Sequence, residues 1–326
     1  MNRRKLLTAL GASGLTSLVS LDMVAAQDEY PSRLIKIVVG NTAGGPGDIV
    51  SRAIADRATL ELGKPVIIEN RPGASTVIGT QYVAQSAPDG YTILSLTTSG
   101  IIQTVLRERM PYDLMRDFAP IIGVGSFPMA LTVSAQSNIR TMDDLVAAMR
   151  SSDGITYASA GAGTMAQLAA VRLLNELRGH GEHIPFRGNP EGLQAVMGGF
   201  VTLMFPSVYE VPALIASGRA RVLGMTGERR LPSLPDVPTM GELGFADFSP
   251  RLGYSYLAPA GTPPGIITRL HDTFARAMHE ASVQDRFRTL GFETQIRGPG
   301  ALSAHIREEA ERWGQVIRDN NIRATD

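Results

Sequence analysis

The sequence predicts an α/β protein of two domains facing each other across a cleft, with the chain crossing between them twice. Three observations lead there. At 326 residues the chain is too long for one core of ordinary size. From Leu34 onward short apolar runs alternate with segments of helical spacing, as in parallel sheets covered by helices. Two small-residue loops joining a strand to a helix, "GNTAGGPGD" from Gly40 and "SAGAGT" from Ser159, stand one in each half.

The first residues are set apart from that pattern. "MNRRKLLTALGASGLTSLVSLDMVAAQ" has a basic start (Arg3, Arg4, Lys5), an apolar middle, and small residues at Ala25 and Ala26. Residues 1–26 therefore read as an export signal, and the Arg3-Arg4 pair leaves both the twin-arginine and the general route open. The apolar run is shorter than the roughly 20 residues a bilayer span needs. With no second such run, the mature chain is expected to be soluble and periplasmic. The chain has 31 basic and 31 acidic residues; removing the signal takes away three bases and one acid and leaves a net charge of −2, which gives nucleic-acid binding no footing. The absence of cysteine removes disulfides, thiolate nucleophiles and zinc-thiolate sites together.

In order, Ile35 to Val39 reads as a buried strand. Ile49, Val50, Ala53, Ile54 and Ala58 then recur at helical spacing until Gly63 and Pro65 end the helix. "VII" from Val66 is the next strand, so residues 34–69 form a parallel strand-helix-strand unit with a right-handed crossover. "YTILSL" is a further strand. "GVGSFPMALTVS" is a long extended segment broken by Pro128, and the first crossing is placed near Phe127. Ile155 to Ser159 is a strand, followed by the second loop and a helix. "EHIPF" is a strand, "GNPEGLQAVMGG" a short helix, "VTLMF" a strand, "VYEVPALIASG" a helix ending at Gly218, and "RARVLGMTG" another strand. The return crossing falls near "GYSYLAPAGTPP". The C-terminal helices, residues 266–281 and 303–320, pack back on the first domain. Domain 1 is thus residues 27–127 and 251–326, and domain 2 is residues 128–250; a double crossing of this kind makes a hinge.

Both loops lie at carboxyl ends of strands, where open α/β sheets bind ligands. Glycines let the backbone bring N–H groups close to a ligand, and the helix that follows adds a partially positive end. The arrangement favours an anion. Asp48 runs against that reading as a carboxylate and fits equally a first-turn residue that satisfies the helix's own N–H groups. Thr164 can cap the helix beginning at Met165. Competing motifs fail. Gly63-Lys64 is followed by Pro65 and lacks the upstream glycine of a phosphate loop. The dinucleotide fingerprint read from Gly45 and Gly47 meets Val50 where a small residue is needed; Glu69 is its best supporting residue, and Gly161 to Ala166 the better-spaced alternative. His180 and His183 form H-x-x-H without a third ligand nearby and read as solvated loop residues. No G-x-S-x-G is present, and no tyrosine is followed by lysine at Tyr-x-x-x-Lys spacing. No catalytic residue, metal or cofactor is expected.

Several segments carry a resemblance: "YPSRLIKIVVGNTAGGPGDIVSRAIA", "LGKPVIIENRPGASTVIGTQYVAQSAPDGYTIL", "ITYASAGAGT", "IPFRG", "VMGGFVTLMF", "LPDVPTMGELG" and "YLAPAGTPPGIITRL". The chain resembles the extracytoplasmic solute-binding proteins of tripartite tricarboxylate transporters, the Bug family, from about Tyr30 to about Gln315. The resemblance implies a type II periplasmic binding fold that closes around a small carboxylate-bearing solute. The ligand-binding residues it implies are Thr42, Ala43, Gly44, Gly45 and Asp48 in the first loop and Ser159, Ala160, Gly161, Gly163 and Thr164 in the second, with Thr98, Ser99 and Ser207 as selecting positions. Arg187 stands where the family usually has lysine. Acids common in the family are absent at Thr202 and Pro206, and the aromatic pattern before "LAP" reads Gly253-Tyr254-Ser255. The implied partners are a small carboxylate solute and the integral membrane subunits of such a transporter, with the binding protein acting as a monomer. A periplasmic Rossmann-type oxidoreductase and a ligand sensor presenting its closed form to a signalling partner are the alternative functions.

Overall fold

The run Ile35–Val39 is enclosed apart from Lys36, and burial on both faces places it inside a parallel sheet as β1. In this computed structural model, which describes residues 30–324, β1 is followed by α1 (Pro46–Leu62), β2 (Val66–Asn70), α2 (Val77–Ala84), β3 (Thr92–Thr97), α3 (Thr98–Leu106) and β4 (Phe118–Pro128). The chain then runs through β5 (Ala130–Ser134), α4 (Met142–Arg150), β6 (Ile155–Ser159), α5 (Met165–Leu177), β7 (Gly181–Pro185), α6 (Asn189–Met197), β8 (Leu203–Met204), α7 (Pro212–Ala216) and β9 (Ala220–Met225). It ends with β10 (Arg251–Pro259), α8 (Pro264–His279), α9 (Ala281–Leu290), β11 (Glu293–Arg297) and α10 (Pro299–Asp319). The expected export signal lies outside the described residues.

Two sheets result, ordered β11-β4-β10-β3-β1-β2 and β7-β6-β8-β5-β9. The unit expected over residues 34–69 is present: β1 pairs in parallel with β2, and α1 crosses between them. Pro46 opens that helix at a position where a missing N–H costs nothing, and Gly63 closes it at φ 64. β10 returns antiparallel between β3 and β4. The first sheet therefore uses strands from both ends of the chain, and the second is built from the stretch between them.

The crossing expected near Phe127 lies at Met129, between β4 and β5. One buried side chain holds it to the return strand. Thr226 Oγ1 accepts from Met129 N–H at 2.8 Å and donates to Pro250 C=O at 2.6 Å.

Two expectations are corrected. The helix read over "VYEVPALIASG" is broken into a 3-10 turn, Val208–Glu210, and the short α7. Pro212 has no N–H to continue the upstream turn, so a new helix starts with it as first residue. The strand read over "VTLMF" is paired only at Leu203 and Met204. The sequence reading also left out α2, α3, α4, α9 and β11. The C-terminal helices form as α8 and α10, starting at Pro264 and Pro299.

The core of the second sheet does not stop at its own helices. Leu168, Leu173 and Val171 of α5 share a buried cluster with Ile102 and Leu106 of α3 and with Trp313 and Ile317 of α10. From Pro31 the chain forms one compact unit. No helix among the described residues is long and apolar enough to cross a membrane.

Candidate functional site

A cavity of about 850 Å³ opens between the two sheets. Besides the start of the short α7, its wall contains the N-terminal ends of five longer helices: residues 45–47 before and in α1, Ser75 and Thr76 before α2, Thr97 and Ser99 at α3, Thr164 to Ala166 at α5, and Gly188 to Pro190 at α6. Three of these ends belong to the first sheet's side and two to the second's. First-turn N–H groups have no partner inside their own helix, so five partially positive ends address one space.

Thr42, Ala43, Gly44 and Gly45 line this cavity, but the loop holds itself together with part of its donors. Gly44 N–H bonds to Asp48 Oδ2 at 3.0 Å, and Gly45 N–H to Thr42 C=O at 3.3 Å. Gly47, in the first turn of α1, lines the cavity as well, and its N–H has no partner inside its own helix. Asp48 is not a wall residue. It is buried behind the loop in a two-pronged pair with Arg52, at 2.9 Å on each oxygen. Burial would raise its pKa; the bonds from Arg52 and Gly44 outweigh this and hold it below the usual carboxylate range. Gly47 has a packing reason: an added Cβ would lie 2.8 Å from the Tyr254 ring.

In the second loop Ala160 and Thr164 line the cavity, whereas Ser159, Gly161 and Gly163 form its support. Gly161 N–H bonds to Ser159 Oγ at 3.2 Å, and Gly163 N–H to Gln167 Oε1 at 2.7 Å. Behind them stands His183, whose expected place in a solvated loop is corrected. It lies in β7, stacked on Tyr157 at 5.3 Å, with Nε2 2.6 Å from Ser159 Oγ and Nδ1 3.1 Å from Gln167 Nε2. The bonds fit one proton assignment. Ser159 donates to Gly161 C=O at 2.9 Å, so His183 donates from Nε2 and accepts at Nδ1 from the Gln167 amide. Burial lowers the imidazole pKa to about 4, keeping the ring neutral. Thr164 is the N-cap residue of α5, but its hydroxyl donates to Gly161 C=O and does not cap the helix.

Of the selecting positions, Ser99 and Ser207 line the cavity and Thr98 does not. Thr98 Oγ1 accepts from Gly253 N–H at 2.9 Å, joining α3 to β10. Ser99 reaches across the gap, and its Oγ accepts the Met165 N–H of α5 at 3.2 Å. Gln103 also crosses, donating to Ala162 C=O at 3.0 Å. Glu69 is ion-paired with Lys36 and Arg71 and is not positioned as a ribose acid.

The wall also holds residues that sequence reasoning missed. Ala74, Ser75 and Thr76 have φ of 45°, 51° and 83°, three consecutive non-glycine residues in left-handed backbone. Such backbone is costly, most of all for a β-branched residue, and is found where the surroundings enforce it. Here Thr80 Oγ1 bonds to Thr76 C=O at 3.0 Å, and Thr76 packs so closely on Gly40 that a Cβ there would stand 2.8 Å from its own. The Thr76 hydroxyl is buried and has no hydrogen-bond partner among the described residues. Asn189, Tyr209, Glu210, Tyr254 and Arg187 also line the cavity. Glu210 accepts from Asn189 Nδ2 at 3.0 and 2.8 Å and from Ser207 N–H at 2.9 Å. Burial raises its carboxyl pKa, only partly offset by those bonds, and burial with the charge of Glu210 raises the Tyr254 phenol. The run of small residues after Gly73 was the one sequence signal for the strained turn. Glu210 had none, because the segment read as a surface helix.

Comparisons with known proteins identify the family and agree with the fold. The profile described as "Tripartite tricarboxylate transporter family receptor" matches residues 50–322. The UPF0065 protein in gbd 5'region of Cupriavidus necator is 36% identical over 97% of each chain. Among solved structures, the periplasmic binding protein BugD superposes with a TM-score of 0.82 at 29% identity, covering 91% of this chain and all of its own. MatC from Rhodopseudomonas palustris with bound malate gives 0.80 at 28% identity, covering 88% of this chain and all of its own.

Proposed function

The chain belongs to the tripartite tricarboxylate transporter receptor family, a family of non-enzymatic periplasmic solute-binding proteins, and from that premise we propose that it captures one small organic acid between its lobes and hands it to integral membrane subunits. The moving parts are residues 27–127 with 251–326 on one side and residues 128–250 on the other, and the protein acts as an exported monomer. The observation that carries the proposal is the convergence of five helix N-termini on one cavity. Donors fixed in the backbone are already oriented, so a carboxylate gains their hydrogen bonds with little rearrangement. Contacts that exist only when both lobes touch the acid shift the protein toward the closed form. The hydroxyls of Ser99 and Thr76 and the first-turn N–H groups of α1 and α5 are the proposed carboxylate contacts. Malate in MatC is the corresponding solute of one relative.

Calorimetric titration against di- and tricarboxylates, aromatic acids and amino acids tests this reading. It predicts saturable one-to-one binding of at least one carboxylate with the solute recovered unchanged. Binding of none, or conversion of any, contradicts it.

A further inference from the structure

Successive residues of β10 serve two different spaces. Leu252 and Tyr254 line the cavity between the sheets, whereas Arg251, Gly253 and Ser255 line only a second, smaller cavity of about 150 Å³. Ser126 of β4, which stands opposite Gly253, Arg297 of β11 and His305 of α10 share its wall.

The donors facing this second space lack partners. The Arg297 guanidinium is half-buried and makes no hydrogen bond or ion pair among the described residues. Burial lowers its pKa, the direction expected of a cation that has lost water without gaining an acceptor. The other guanidiniums in the wall are matched: Arg251 pairs with Glu293, and Arg312 with Glu309. Glu309, the one acid among the described residues of the wall, is engaged on both oxygens, since Oε2 accepts from Trp313 Nε1 at 2.9 Å. Ser126 and Ser255 are only 8% and 9% exposed, and neither hydroxyl has a hydrogen-bond partner among the described residues. A guanidinium serving the fold alone would hold a carboxylate or carbonyl, and this one holds neither.

We propose that the second cavity is a binding site for a small inorganic oxyanion, phosphate or sulfate, held by Arg297 together with the hydroxyls of Ser126 and Ser255. The planar fork of an arginine matches two oxygens of such an ion, and hydroxyls donate to the others. The volume suits an ion of that size with its nearest waters and falls below the roughly 300–1,000 Å³ of an organic-ligand pocket. The position gives the ion a structural consequence. β4 leads into the crossing at Met129, and β10 begins at Arg251, directly after the Pro250 that Thr226 ties to Met129. An ion joining β4, β10 and β11 braces both crossings from the face of the sheet turned away from the main cavity.

The test is a sulfate titration of the wild-type protein at constant ionic strength, with sodium chloride as the balancing salt, read by melting temperature. A saturable rise is expected at millimolar sulfate or below. Arg297→Gln is expected to weaken sulfate about 10- to 100-fold, whereas Ser99→Ala, in the main cavity, should leave sulfate binding unchanged. Crystals of the wild type grown with selenate should show the anomalous scatterer within hydrogen-bond distance of Arg297 and of Ser126 or Ser255. No saturable effect beyond that of chloride, an equal effect in Arg297→Gln, or selenate found only in the main cavity would overturn the proposal. The selenate position decides the question even if the arginine variant folds poorly.

Discussion

Thr76 combines a strained backbone with an unsatisfied hydroxyl, and the combination has a testable consequence. A buried hydroxyl without a partner destabilises the empty protein by about 1–3 kcal/mol, so its persistence implies a use. Thr76→Val keeps the branched shape and removes the polar atom. It is expected to raise the melting temperature of the empty protein, by an amount corresponding to about 1 kcal/mol, and to weaken carboxylate binding about tenfold. A melting scan and a titration of the same variant check both signs. His183 gives the second prediction at this scale. Its folded pKa, about 4, lies below the ordinary value of about 6.5. The stability of the folded form is therefore complete above about pH 6.5 and is lost as the pH falls toward 4, because the unfolded chain takes up the proton first. The loss is at most about 3 kcal/mol. Protonation of the folded ring, near pH 4, would also break the Gln167-to-Nδ1 bond behind the second loop, so melting temperature should fall from about pH 6.5 downward and affinity only near pH 4, and His183→Gln should flatten both profiles.

At the level of elements, the site depends on how closely α5 approaches α3. Gly163, at φ 70°, has room for no side chain: a Cβ would collide with Leu106 and lie 2.6 Å from Gln103 Nε2. Gly163→Ala should separate the two helices, lengthen the Ser99 and Gln103 crossings and lower stability by about 1–3 kcal/mol. Affinity should drop even at temperatures where the variant is folded. β1, α1, β2, β6 and α5 were legible because each combines an apolar period with a local stop signal such as Gly63 or the Ser159–Thr164 loop. The Val208–Gly218 segment was not, since its apolar spacing outweighed Pro212 in the reading, while in the structure Pro212 splits it and leaves Glu210 on the cavity side. The loops themselves were legible as cavity walls. Which of their residues face the cavity was not, because that depends on long-range partners: Arg52 holds Asp48, Gly253 takes Thr98, and His183 takes Ser159.

For the molecule as a whole, the two sheets have separate strands but share a core. Trp313 and Ile317 of α10 share one buried cluster with residues of both α3 and α5, so the C-terminal helix belongs to the core that joins the lobes. Calorimetric unfolding should accordingly show one transition for both lobes, and Trp313→Ala should lower stability by about 3–5 kcal/mol without producing a second transition. The two-lobed arrangement itself was readable, since strand-helix alternation and a broken extended segment near Pro128 require little beyond local pattern. The convergence of five helix ends was not, as it arises only once both sheets are assembled.

The central claim is that a carboxylate sits between the lobes at those helix ends. A crystal structure grown with a solute that calorimetry shows to bind tests it most directly. The account predicts carboxylate oxygens within hydrogen-bond distance of the Gly47 or Asp48 N–H groups on one lobe and of Thr164 or its first-turn neighbours on the other. A solute bound elsewhere, or held by one lobe alone, would contradict it.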